Sequence, residues 1–260
     1  MIRKIVMIGA GRLATRLSID LKEKGYSIAQ VYNRTPENGS RLAEQLESGY
    51  TSDLKSLARA ELYIISVADH ALEEVAGQIE NMKGIVVHTS GTMGLNTLRN
   101  CSETTGVLYL PQTFTFSAPM DLKGIPVCVE GSDPRTENEL FEIGERISGK
   151  VYRISSEQRA WLHLSATFVS NFPNFLYAAA EKIMNQSNLN MEMLVPLIME
   201  TAAHSRTKDI FASQTGPAIR EDQPVIDKHL ALLQKFPEYR EIYQLITNSI
   251  INQKHGNDEL

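Results

Sequence analysis

The sequence predicts an α/β protein, a doubly wound, mainly parallel sheet followed by an all-α C-terminal domain. Three observations carry this. Continuous apolar runs rich in β-branched residues alternate with helical patterns over the first 150 or so residues. Strands that are apolar throughout belong to sheets covered on both faces. The first run passes through Gly9-Ala10-Gly11 into the first helical pattern, and after about residue 155 strand-like runs give way to longer helical ones. These observations set two domains, residues 1–153 and residues 154–260.

The elements follow in order. Lys4 to Ile8 is a short apolar strand ending at Gly9. Leu13, Leu17 and Leu21 then share a helix face, and Gly25 suits the C-terminal cap. Ser27 to Tyr32 reads as the second strand. Pro36 opens a helix carrying Leu42 and Leu46. Leu62 to Val67 and Ile85 to Val87 are further strands; Val107 to Leu110, Pro126 to Val129 and Val151 to Ile154 are weaker ones. A helix with Leu140, Ile143 and Ile147 separates the last two. From Glu157, Ala160, Leu164, Phe168, Phe172 and Phe175 recur at helical spacing, with Pro173 placed to kink or break the pattern. Helical stretches are expected from Met191 to Phe211, after Asp222-Gln223-Pro224 and after Phe236-Pro237. The polar tail from Lys254 to Asp258 is expected to fray.

Composition narrows the class. The 260 residues are 42% hydrophobic and 22% charged, as in an ordinary globular protein. A net charge of −5 gives no global field favouring nucleic acid or an anionic membrane. No apolar stretch has the roughly 18 residues of a membrane span. The run after Met1 is too short for a signal peptide. Two cysteines, Cys101 and Cys128, are too few for a disulfide framework and suit a reduced, cytoplasmic setting. No two histidines stand at metal-ligand spacing, and no metal is expected.

The chemistry starts at Gly9-Ala10-Gly11-Arg12-Leu13-Ala14, a G-x-G-x-x-A between a strand and a helix. Gly9 permits the tight turn. Gly11 removes the Cβ that would keep a pyrophosphate from the backbone. Ala14 holds the helix close to the strand. The helix N-terminus offers N–H donors and the positive end of its dipole. At the end of the second strand an NAD-type site places a carboxylate on the ribose 2′-hydroxyl. Here Asn33-Arg34-Thr35 stands instead. An arginine suits a 2′-phosphate, which points to NADP(H) and against a methyltransferase using another adenosyl cofactor.

Other strand ends fall on the same edge. Val67-Ala68-Asp69 is expected along the cofactor path, with Asp69 also suited to cap the helix that follows. His88-Thr89-Ser90-Gly91 brings a hydroxyl and an open backbone toward the reacting end. Pro111 to Phe116 forms a hydroxyl-rich, aromatic loop able to cover a substrate or to pack as core. On the helix after residue 155, His163, Thr167 and Asn171 recur every fourth residue and are expected on one face. They suit a catalytic wall, with His163 able to move a proton, or a buried polar interface. Thr215-Gly216-Pro217 with Arg220 and Asp222 forms a sharp turn before a helix.

These residues resemble the NADP-dependent β-hydroxyacid and imine reductase superfamily of 3-hydroxyisobutyrate dehydrogenase, 6-phosphogluconate dehydrogenase and pyrroline-5-carboxylate reductase. The closer resemblance is to a family that pairs a Rossmann-like domain with a helical C-terminal domain of unknown function. It is carried by His88-x-Ser90-Gly91, His163, Ser170-Asn171, Thr215-Gly216-Pro217, Arg220, Asp222 and His229-Leu230. The resemblance implies hydride transfer to or from a small carbonyl or imine bound between the domains, with Ser90, His163 and Asn171 at the reacting end, and a homodimer. The alternative is a dinucleotide-binding sensor or scaffold. Thr167 stands where the hydroxyacid enzymes carry a proton-transferring lysine, so their mechanism does not transfer whole.

Overall fold

The computed structural model describes residues 2–115 and 121–258. Phe116, at the end of the hydroxyl-rich loop, lies outside the described residues. Eight strands form one sheet in the order β3-β2-β1-β4-β5-β6-β7-β8. They are β1 Lys4–Ile8, β2 Ser27–Tyr32, β3 Gly49–Thr51, β4 Leu62–Ile65, β5 Ile85–His88, β6 Thr105–Tyr109, β7 Val127–Gly131 and β8 Val151–Arg153. All neighbours run parallel except β6 and β7, which pair antiparallel with Leu108 opposite Val129. The sequence did not show β3, whose three residues carry little apolar signal.

Alternation within each strand divides the core into two layers. Ile5 and Met7 of β1 and Leu62 and Ile64 of β4 face helices α1 (Arg12–Glu23), α2 (Pro36–Leu46) and α4 (Pro134–Ile147). They meet Leu17, Leu21, Leu42, Leu46, Leu140 and Ile143. Val6, Ile8, Tyr63 and Ile65 face the opposite side, where α3 (Asp69–Ala76) contributes Leu72 and Val75. Period-two alternation with apolar residues at both parities is what a sheet buried on both faces requires.

The chain divides into two compact units, Met1–Phe172 and Pro173–Leu260. The first unit therefore runs beyond β8 and includes helix α5 (Ser156–Ala166). A capping box starts α5: Ser155 accepts from the Gln158 N–H, and the Gln158 side chain accepts from the Ser155 N–H. Arg159 then ties the helix down. Its guanidinium is buried, pairs with Glu130 of β7 at 2.5 Å and donates to the Met93 carbonyl at 2.6 Å.

After α5 the backbone widens into a π-helical turn, Thr167–Asn171, with the Phe172 N–H donating to the Thr167 carbonyl five residues back. Pro173 gives the reason. It has no N–H, and its ring would press on the carbonyl of residue 169 in a regular helix. Helix α6 (Phe172–Met184) follows the widened turn. The widened turn falls between Thr167 and Asn171, inside the series His163, Thr167, Asn171 that the sequence places on one face.

The second unit is helical, with α7 (Val195–Ala203), α8 (Gln223–Leu232) and α9 (Pro237–Asp258) after α6. The expected continuous helix from Met191 to Phe211 is only α7 flanked by short 3₁₀ turns. Pro196 at the start of α7 and the polar stretch after Ala203 confine it. The expected fraying of the tail is also overturned. Lys254 and His255 both reach Glu221, at 2.7 and 3.1 Å, and α9 continues to Asp258. Among the described residues no helix is long and apolar enough to cross a membrane.

Candidate functional site

The strand order reverses at β1, with β2 on one side and β4 on the other. Parallel sheets bind ligands at the carboxyl edge of such a switch point. A cleft of about 680 Å³ lies there, wholly within the first unit. Its wall includes every residue from Gly9 to Ala14, Asn33 to Thr35, Val67 to Asp69, and Ser90, Gly91, Tyr109 and His163.

Gly9 has φ +120°, and a Cβ there would run into the Ser66 carbonyl oxygen. Only glycine allows β1 to turn so close to the end of β4. Gly11 differs. It is the N-cap of α1, and nothing lies within 4 Å of where its Cβ would stand. The first turn of α1 holds no acidic residue, and Gly11 provides no side-chain cap. The N-terminus of α1 thus opens onto empty space with no acidic residue in its first turn, which fits a pyrophosphate.

At the end of β2, the Asn33 side chain donates to the Thr35 carbonyl at 2.8 Å, and Tyr50 donates to the Asn33 carbonyl at 3.1 Å. These bonds set the turn that presents Arg34. Arg34 is exposed, and among the described residues it pairs with no carboxylate. Thr35 is the N-cap of α2 without a side-chain cap bond.

Past β4, Ala68 is the N-cap of α3 and Asp69 is its first residue. Asp69 accepts from the Thr92 hydroxyl and does not cap the helix. Ser90 Oγ accepts from the N–H groups of Thr92 and Met93, at 3.1 and 3.0 Å. Thr92 gives its own proton to Asp69, so the Ser90 hydroxyl donates to Thr92 Oγ1 at 3.4 Å, and with its lone pairs engaged it has little basicity to offer.

Two histidines stand near this end with different environments. His88 is fully buried; its Nδ1 accepts from the Ser90 N–H at 3.2 Å. Burial first, and then the Arg159 charge, push its pKa down to about 4. It is a neutral structural imidazole near pH 7. His163 instead lines the cleft, with Nδ1 3.2 Å from the Tyr109 hydroxyl. The sequence reading missed Tyr109. The signal was its place at the end of β6, beside the β5 edge that carries Ser90. Asn171 is exposed and absent from the cleft wall, and Thr167 is absent from it too.

The fold and this cleft define a Rossmann-type α/β protein with its ligand cleft at the carboxyl edge of the sheet. Residues 4–90 match the family described as NADP oxidoreductase, coenzyme F420-dependent, and residues 125–250 match a domain of unknown function, DUF2520. A Bacteroides fragilis protein provisionally named an NADP oxidoreductase is 39% identical, with 96% of this chain and 98% of that one covered at a TM-score of 0.90. The chain belongs to the family of that protein, the one its sequence resembles. A Thermotoga maritima protein shares the fold at 24% identity and TM-score 0.76, covering 95% and 99% of the two chains. So does a reductive aminase from Aspergillus terreus, solved with NADPH and ethyl-5-oxohexanoate, at 11% identity and TM-score 0.71, covering 96% and 93%. No curated protein matches the chain.

Proposed function

We propose that the protein is an NADP(H)-dependent oxidoreductase acting on a small carbonyl or imine. One observation carries the reading. A single cleft is lined at once by the open Gly11 helix terminus, by Arg34 and by the Ser90, Tyr109 and His163 group. The name of the Bacteroides fragilis relative supports it. Gly9 to Ala14 hold the pyrophosphate, Asn33, Arg34 and Thr35 the 2′-phosphate, and Val67, Ala68 and Asp69 the path toward nicotinamide. When bound, the reduced nicotinamide supplies a hydride. The Ser90 hydroxyl turns from Thr92 to the substrate heteroatom, and His163 is the source from which the site's proton is drawn, in place of a lysine at position 167. Asn171, outside the cleft wall, is given no part in this step.

We also place the protein in the cytoplasm and as a homodimer. The second unit leaves Leu197, Met199, Leu232 and Leu245 more than 60% exposed, and an apolar surface of that kind suits a partner. Titration with NADPH and NADH, followed by nicotinamide fluorescence, tests the function. Tighter NADPH binding is expected; no binding of either overturns the reading and leaves the sheet edge without an assigned ligand.

A further inference from the structure

Tyr109 ends β6 and is 6% exposed. The neighbouring Gly91 explains how it reaches His163. A Cβ on Gly91 would stand 2.5 Å from His163 Nδ1 and 3.0 Å from Tyr109 Cε2. The missing side chain lets phenol and imidazole close over the same backbone. Their rings meet edge to face at 66°, with Oη and Nδ1 3.2 Å apart. His163 is itself held in place, one turn after Arg159 on the anchored helix α5.

A phenol oxygen can accept one hydrogen bond and donate another. Among the described residues Oη has no hydrogen-bond partner but His163. Tyr109 and His163 both line the cleft, so the second bond of Oη is left for a ligand. Burial raises the phenol pKa, which keeps the proton on Oη near neutrality. The charged and titratable groups acting on the phenol are Cys128 and Asp69, which raise it further, and Arg159, which lowers it.

We infer that Tyr109 is the proton donor of the hydride-transfer site and that His163 Nδ1 replenishes it. This rests on the reductase reading above. The substrate carbon gains a hydride from reduced nicotinamide, and the π pair moves to the heteroatom. That atom takes the Tyr109 phenolic proton as the O–H bond breaks. The His163 Nδ1 proton passes to the phenolate oxygen, and the imidazole is reprotonated from bulk solvent, which supplies the one H⁺ that the reduction consumes. The net change is one hydride and one proton added to the substrate, with the nicotinamide oxidised.

Tyr109→Phe keeps the ring and removes Oη. The first measurement is side-chain ¹⁵N NMR of the neutral His163 imidazole in the unliganded protein. The variant removes the partner of Nδ1 and should change the tautomer balance. An unchanged tautomer balance overturns the pair. The second is NADPH oxidation with 1-pyrroline and with cyclohexanone as probes. Turnover should fall roughly 100-fold or more while NADPH affinity stays within about twofold. Undiminished turnover overturns the donor role, as does a parent that oxidises NADPH with neither probe. A parent that binds no NADPH overturns the reductase reading itself, while the His163 tautomer measurement still reports on the pair.

Discussion

Arg159 and Glu130 form a 2.5 Å ion pair between the first turns of α5 and the end of β7, and the arginine side chain is only 1% exposed. Ser156 Oγ donates to the same carboxylate, at 2.8 Å. The pair fixes the helix that presents His163 to the cleft. Removing one partner of such a pair leaves the other charge without compensation. Arg159→Ala should therefore destabilise the first unit by about 3–5 kcal/mol in urea unfolding. The double variant Arg159→Met, Glu130→Gln should lose much less, because neither charge remains. Equal losses in both variants would mean that packing, not charge, holds α5.

Much of this was legible. The layered core follows from apolar residues at both parities of β1 and β4, and the Gly9 turn from a glycine pattern between a strand and a helix. What was not legible depends on partners far away in sequence. Arg159 reads as a surface residue until Glu130, on a strand reversed relative to β6, is brought beside it. Tyr109 reads as strand filler until Gly91 and His163 close on it. The π turn was hidden because Pro173 announces a break without saying how the backbone absorbs it. The tail reads as frayed because Glu221, its partner, lies 33 and 34 positions earlier.

Cofactor choice rests on Arg34. Replacing it with alanine should weaken NADPH by about 1.5–3 kcal/mol, the range of a charge-assisted hydrogen bond, and leave NADH nearly unchanged. Parallel fluorescence titrations check this. Equal losses for the two dinucleotides would move the 2′-phosphate away from the Asn33-Arg34-Thr35 turn.

His88 should make stability depend on pH. Its folded pKa of about 4 lies below the ordinary 6.5. Between those values the unfolded chain binds a proton that the folded one does not. The contribution is whole above pH 6.5 and is lost as pH falls toward 4. From pH 7.5 to pH 5 it should cost about 2 kcal/mol. Urea midpoints of the parent and His88→Gln at both pH values isolate it from the carboxylates. The same pH slope in both proteins would remove His88 as the source.

The exposed apolar side chains of the second unit predict association. Leu232 and Leu245 are 75% and 69% exposed. Sedimentation equilibrium should give the mass of two chains, and Leu232→Glu with Leu245→Glu should lower it toward one. A parent that sediments as a single chain at micromolar concentration would contradict the homodimer.

Gly9 and Gly11 differ by two positions but should fail in different ways. A methyl group on Gly9 meets the Ser66 carbonyl, and φ there is +120°. Gly9→Ala must therefore shift β1 against β4 or leave the left-handed region, at a cost on the order of 1–3 kcal/mol. Thermal unfolding should show that loss even without ligand. At Gly11 φ is −74° and the space beside it is empty. Gly11→Val should keep nearly the parent's melting temperature. Its side chain instead enters the space the pyrophosphate needs, and NADPH affinity should fall by roughly 100-fold or more, the equivalent of about 3 kcal/mol. A Gly11→Val protein that folds and still binds NADPH normally would place the phosphates elsewhere. A Gly9→Ala protein as stable as the parent would show that β1 and β4 have room to separate at their carboxyl ends.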